Sequence, residues 1–191
     1  MALPDNVAST QRLPSVISGA GALPVTATVD YEDGGVALND SSGGLLFQRW
    51  RGRLIGDDFI LDAPNTPPLV AFSGTGITEI SFTFDQNMRL ALAFVQDGVA
   101  KLRWFDSAAG GLVITDIGAS VENPRIVMDD KRPLQVQVSD IILGYVRGGS
   151  LHYRQQRDRF LIERLLSDGP HKGLIKIGMG RNLRLQFVVE V

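Results

Sequence analysis

Ile80–Val95 reads ISFTFDQNMRLALAFV, and Ile175–Val189 reads IKIGMGRNLRLQFVV. Asn87 and Arg89 of the first stretch fall opposite Asn182 and Arg184 of the second. In the first copy Ile80, Phe82 and Phe84 alternate with Ser81 and Thr83, the period of a half-buried strand. Asp85-Gln86-Asn87 then supplies turn residues, and Leu90, Leu92 and Phe94 resume the alternation. The stretch is a strand, a turn and a strand. Its recurrence makes the fold a repeat of antiparallel hairpins that bury their faces against one another.

Working outward, Asp97-Gly98 is a strong hairpin signal, followed by a strand carrying Leu102 and Trp104 on one face. Ala109-Gly110-Gly111 turns the chain into a fourth strand over Leu112–Ile117. A second copy runs from Arg125 to Leu166. Arg125–Met128 opens it, and IILGYVR (Ile141–Arg147) matches Ala91–Gln96. Gly148-Gly149 replaces Asp97-Gly98, Leu151 and Tyr153 replace Leu102 and Trp104, and Phe160–Leu165 replaces Leu112–Ile117. The third copy stops after two strands at Val191. The expected fold class is all-β, built of antiparallel four-stranded meanders that resemble propeller blades or pack as a β-sandwich. On this reading the chain holds two full units and a half, and three chains together would make a ring of six. RQQRDRFLIERLL (Arg154–Leu166) contains good helix formers, but its match to Leu112–Ile117 favours strand.

The region before the repeats is read as three parts. Residues 1–23 are small and polar, punctuated by Pro4 and Pro14, and form an extended arm. Residues 24–69 carry short strands at Val25–Val29, Val36–Leu38, Leu45–Trp50 and Phe59–Leu61, with Gly34-Gly35, Gly43-Gly44 and Gly56-Asp57 as turns. APNTPPL (63–69) is the linker, because its prolines forbid a helix interior or a central strand. Residues 70–191 form the repeated domain.

Composition narrows the chemistry. The chain has 191 residues, 44% of them hydrophobic, and a formal net charge of −2, so no global field favours nucleic acid. It has no Cys, which removes disulfides and thiol catalysis. No apolar run approaches the roughly 18 residues of a membrane span. His152 and His171 are the only histidines and have no ligand-spaced partner. Asp57-Asp58 and Asp129-Asp130 read as turn residues rather than an acid–base pair. The glycines of SGTGIT (73–78) open no phosphate loop, and Gly178, Gly180 and Arg181 read as a hairpin tip. No catalytic residue, metal ligand or cofactor site emerges, and the expectation is a protein that is not an enzyme.

Arginines beside aromatics are what remains. Arg49 and Arg51 flank Trp50, with Arg53 nearby. Arg147, Arg154, Arg157 and Arg159 cluster with Tyr153, near Arg164. Arginine with aromatics is a recurrent interface composition, so these eight residues (Arg49, Trp50, Arg51, Arg147, Tyr153, Arg154, Arg157 and Arg159) are the candidate interface. A solvated, salt-bridged face is the competing reading.

The stretch SDIILGYVRGGSLHYRQQRDRFLIERLL (139–166) resembles structural proteins of tailed-bacteriophage virions, as do MDDKRP (128–133), GMGRNLRLQF (178–187) and LRWFD (102–106). The resemblance covers about residues 70–191, and the YRQQRDR string is its most specific part. It implies a component of the tail or neck that works by assembling with other virion proteins and with copies of itself. It implies no catalytic residue and no cofactor. The alternative is a receptor- or glycan-binding tail module, which would use exposed aromatics such as Trp50, Trp104 and Tyr153.

Overall fold

The structure, a computed structural model, describes residues 29–39, 45–63, 66–85, 87, 89–129, 140–179 and 184–191. The chain is all-β, with fourteen strands and one short 3-10 turn among these residues. Sheet 1 holds β1 (Val29–Asn39), β2 (Leu45–Ile55), β3 (Asp58–Ala63) and β4 (Thr66–Ser73). Sheet 2 holds β5 (Ile77–Phe84), β6 (Leu90–Gln96), β7 (Val99–Asp106) and β8 (Gly111–Ala119). Sheet 3 holds β9 (Val121–Asp129), β10 (Asp140–Arg147), β11 (Ser150–Gln155) and β12 (Arg164–Ser167). The last hairpin is β13 (Gly173–Met179) with β14 (Leu185–Glu190). Strand order follows chain order in every sheet, and all pairs are antiparallel.

Local chemistry sets the hairpins. Asp97 and Gly98 both have positive φ, as do Gly148 and Gly149, the signature of a type I′ turn. At Gly56-Asp57 only the glycine is positive, as a type II′ turn requires. Asp85 closes the β5–β6 connection: its Oδ1 accepts from the backbone N–H groups of Asn87 and Arg89, both at 2.8 Å.

Successive sheets lie face to face with a core in each gap. Leu54, Phe59 and Leu61 of sheet 1 meet Ile80, Phe82, Leu92 and Phe94 of sheet 2. Ala91, Ala93, Leu102 and Trp104 of sheet 2 meet Ile126, Ile141, Leu143, Tyr145 and Phe160 of sheet 3. Val127, Ile142, Val146 and Leu151 of sheet 3 meet Leu174, Ile177 and Phe187 of the last hairpin. This arrangement explains why LALAFV and IILGYV lack the apolar–polar alternation of a one-sided sheet. Both faces of β6 and β10 are buried, so every position is apolar or small.

The first strands of neighbouring sheets run side by side, β5 beside β9 and β9 beside β13. The Ile126 N–H donates to Ser81 Oγ at 3.1 Å, and Arg125 Nε donates to the Ile175 carbonyl at 3.2 Å. Side chains thus bridge first strands that share no backbone ladder, which satisfies polar groups buried in the seam.

A spacing rule emerges in the second strands. Gly52, Ala93 and Gly144 each lie four residues before a hairpin turn, at Gly56, Asp97 and Gly148. A Cβ on Gly144 would lie 2.6 Å from Ile177 Cδ1 and 3.0 Å from Leu174 Cδ2; one on Gly52 would lie 2.8 Å from a Phe82 ring carbon. At Gly144 the next hairpin's side chains leave no room, and at Gly52 Phe59 of its own sheet and Phe82 of the next do so together, so the position stays small.

Several expectations change. Residues 29–73 form a full four-stranded meander, so three complete sheets and one two-stranded hairpin replace two units and a half, and the arithmetic behind six units from three chains does not hold. Gly34-Gly35 is no hairpin turn: it lies within β1, where the register with β2 shifts between Asp33 and Val36, a bulge. The proline-rich stretch read as a linker supplies β4, with Pro67 and Pro68 on an edge strand that pairs only with β3. Aligning the turns places Leu151 opposite Ala100 and Tyr153 opposite Leu102, two residues from the expected match. Phe160 belongs to no strand, since a 3-10 turn at Gln156–Asp158 precedes it and β12 begins only at Arg164; no helix spans Arg154–Leu166. The arm at residues 1–23, the Gly43-Gly44 turn and the MDDKRP turn beyond Asp129 lie outside the described residues.

Candidate functional site

The eight candidate residues separate into distinct environments. Trp50 is half-buried, its ring 5.7 Å from that of Phe84 across sheets 1 and 2. Arg51 is exposed on β2, opposite Asp62 of β3, and Asp62 pairs with Arg53 at 2.7 Å. The Arg49 side chain lies outside the described residues. Tyr153 faces the last hairpin, 6.4 Å from the Phe187 ring, with the Arg164 guanidinium 5.8 Å from its own ring centre.

Arg147 and Arg154 serve one carboxylate. Glu163 Oε2 accepts from Arg147 Nη1 at 2.5 Å, from Arg154 Nη2 at 3.1 Å, and from the Tyr145 hydroxyl. Arg154 also donates to Tyr145 Oη at 2.9 Å and to the Phe160 carbonyl at 3.0 Å. Arg147 Nη2 reaches across the gap to the Ile117 carbonyl of sheet 2 at 2.9 Å. His152 stacks on Tyr145 with ring centres 6.0 Å apart, and its Nδ1 lies 3.3 Å from Glu163 Oε1.

These contacts set the protonation states. Burial alone would raise the Glu163 pKa, but the hydrogen bonds from Tyr145 and Arg154 and the charges of Arg147 and His152 outweigh it and hold Glu163 below its ordinary range. Burial and the Glu163 hydrogen bond push the Tyr145 phenol up to about 12. A protonated tyrosine and an ionised glutamate make a static network. The arrangement pins the 156–163 loop to sheet 3.

Arg157 and Arg159 complete the same loop. Arg157 Nε bonds to Asp140 Oδ2 at 2.5 Å, and Arg159 Nε bonds to Asp106 Oδ2 at 3.0 Å. Both aspartates are buried while both arginines are more than half exposed. Asp85, Asp106, Asp129 and Asp140 all sit at the same end of the stack, and buried carboxylates need partners. The loop's arginines supply two of them. The cluster is therefore largely an intramolecular clamp rather than a bare basic patch.

The Asp57-Asp58 pair is tied to the end of β4. The Asp57 carbonyl accepts from the Gly74 N–H at 2.9 Å, and Asp58 accepts from Ser73 Oγ at 2.6 Å. His171 Nε2 lies 3.1 Å from Ser167 Oγ. Among the described residues no group of three His, Asp or Glu side chains is placed to hold a metal ion, and no helix is long and apolar enough to cross a membrane.

The surface that stands out was not singled out from the residues. Strands β4, β8 and β12 are the outer edges of the three sheets. They and the loop before β12 expose large aliphatics: Leu69 and Val70, Leu112 and Ile114, Leu161, Ile162, Leu165 and Leu166. Ile114 is 57% exposed and Leu161 is 71% exposed. The signal was in the sequence: LVI and RLL are apolar strings on fourth strands, which have one free edge, and LI (161–162) lies in the loop before β12. The edges differ in protection. Prolines remove N–H donors from β4, whereas β8 has no Pro; Asp116 and a bulge interrupt its second half and leave the Leu112–Ile114 end plain. Comparison with protein-family models, curated proteins and solved structures finds no match to this chain.

Proposed function

We propose that this chain is a structural protein that works by assembly, a tail or neck component of a tailed-phage virion. The observation that carries the assembly reading is the row of exposed aliphatics on the outer edge strands, above all Leu112 and Ile114 on the unprotected β8. An edge strand presents unpaired backbone donors and acceptors, and here it adds an apolar face. The stacked sheets supply a rigid body to hold it. The phage context comes from the likeness of the YRQQRDR region to virion proteins. In the structure that region builds the clamp around Glu163 and Asp140, so the likeness falls on a part that fixes the fold.

Two of the three aromatics named for the glycan-binding alternative are engaged within the fold. Trp104 is buried against Phe160 with its Nε1 donating to Thr115 at 3.1 Å, and Tyr153 is spent on Phe187. Mass spectrometry of purified virions from the phage that encodes the chain tests the proposal. Recovery in the tail fraction at a stoichiometric copy number is expected. Its absence from intact particles, with the free protein in the lysate, would overturn it.

A further inference from the structure

An open cleft of about 740 Å³ lies between sheets 1 and 2. Trp50 and Phe84 line it, Leu69 and Val70 come from β4, and Leu112 comes from β8. A cleft of this size and lining is in the range that takes a ligand or a few side chains of a partner.

Two arginines in its wall set it apart. Most other described arginines pair with carboxylates: Arg53 with Asp62, Arg125 with Glu79, Arg147 and Arg154 with Glu163, Arg157 with Asp140, Arg159 with Asp106 and Arg164 with Asp158. Arg89 and Arg103 have no such partner among the described residues. Arg89 lies over the Phe105 ring, its Cζ 3.7 Å from the centroid, and Arg103 lies 5.7 Å from that of Phe72. A guanidinium laid on a ring is oriented without being neutralised, and it keeps N–H donors for a carboxylate. The Trp50 indole N–H is buried and also has no acceptor among the described residues.

From this juxtaposition of an apolar cleft and two guanidiniums without carboxylates, we infer that the cleft binds an extended acidic segment of a partner protein. Its aliphatic side chains fill the space between Leu69, Val70 and Leu112. Its Asp or Glu side chains meet Arg89 and Arg103. The inference rests on the assembly reading and names the chemistry of the segment docked.

The probe is a short, capped, fluorescein-labelled peptide alternating leucine with glutamate, followed by anisotropy against the full chain. The expected result is saturable binding. The same peptide with lysine in place of glutamate should bind on the order of tenfold more weakly or worse, from the loss of two partly buried ion pairs and the new repulsion. The double variant Arg89→Glu/Arg103→Glu should reverse that preference. Leu112→Glu, at an exposed rim position where folding is not at stake, should weaken the glutamate peptide by a similar factor. Unchanged thermal melts establish that both variants fold. Equal binding of the two peptides, no binding of either, or binding unaffected by both variants overturns the inference. Laurate binding with no peptide binding also overturns it, in favour of a lipid-like carboxylate. Light scattering of the same variants separates the two claims: peptide indifference with oligomers intact sinks the cleft alone, whereas a monomeric wild type sinks the assembly reading itself.

Discussion

Phe160 shows how single residues hold this molecule together. It is fully buried, meets Trp104 edge to face at 5.0 Å, and has a φ of 58°, unusual for a bulky side chain. Such a backbone costs about 1–3 kcal/mol, so the buried ring must overcompensate. Phe160→Ala should destabilise the chain by about 3–5 kcal/mol in urea titration. A loss below about 1 kcal/mol would mean that the loop is anchored elsewhere. Glu163 acts through charge. Its folded pKa lies below the ordinary 4.5, so its contribution is fully present above that value and is lost as pH falls through the folded pKa. The stability gap between wild type and Glu163→Gln should therefore be widest near neutral pH and narrow in acid. A gap that is constant with pH would contradict the ion-pair account.

At the scale of elements, the hairpins were legible and their partners were not. Asp97-Gly98, Gly148-Gly149 and the alternation in ISFTF mark turns and strands because those signals are local. Sheet 1 was misread because its punctuation has two meanings. A Gly-Gly pair serves a turn or a bulge, and prolines serve a linker or an edge strand; only the pairing of β1 with β2 and of β4 with β3 decides. The ion pairs of the arginine cluster were hidden for a related reason. Arg157 and Arg159 look like a patch in sequence, but Asp106 and Asp140, their partners, arrive from distant strands. The small residue four positions before each turn is visible in the sequence once the sheets are superposed. It yields a sharp prediction at Gly144. Gly144→Val would drive methyl groups into Ile177 and Leu174 and should cost about 1–3 kcal/mol or more, read as a lower denaturation midpoint. Ala93→Gly, at the matching position in β6, removes one methyl group and should cost about 1 kcal/mol.

At the scale of the whole molecule, the stacked sheets divide the work. The gaps between sheets carry the stability, through three cores of large side chains in sequence along the stack. The outer edges carry the exposed aliphatic surface, because Leu112, Ile114, Leu165 and their neighbours stay in solvent. One exposed aliphatic needs no explanation, but a set repeated on successive fourth strands does. Light scattering coupled to size exclusion tests this most directly, comparing wild type with Ile114→Lys, a charge placed on the unprotected β8 edge. The account predicts a wild-type mass at a multiple of 20.8 kDa that falls to the monomer in the variant, with an unchanged thermal melt. A wild-type protein that stays at 20.8 kDa at high concentration, or a variant that assembles as the wild type does, would contradict it.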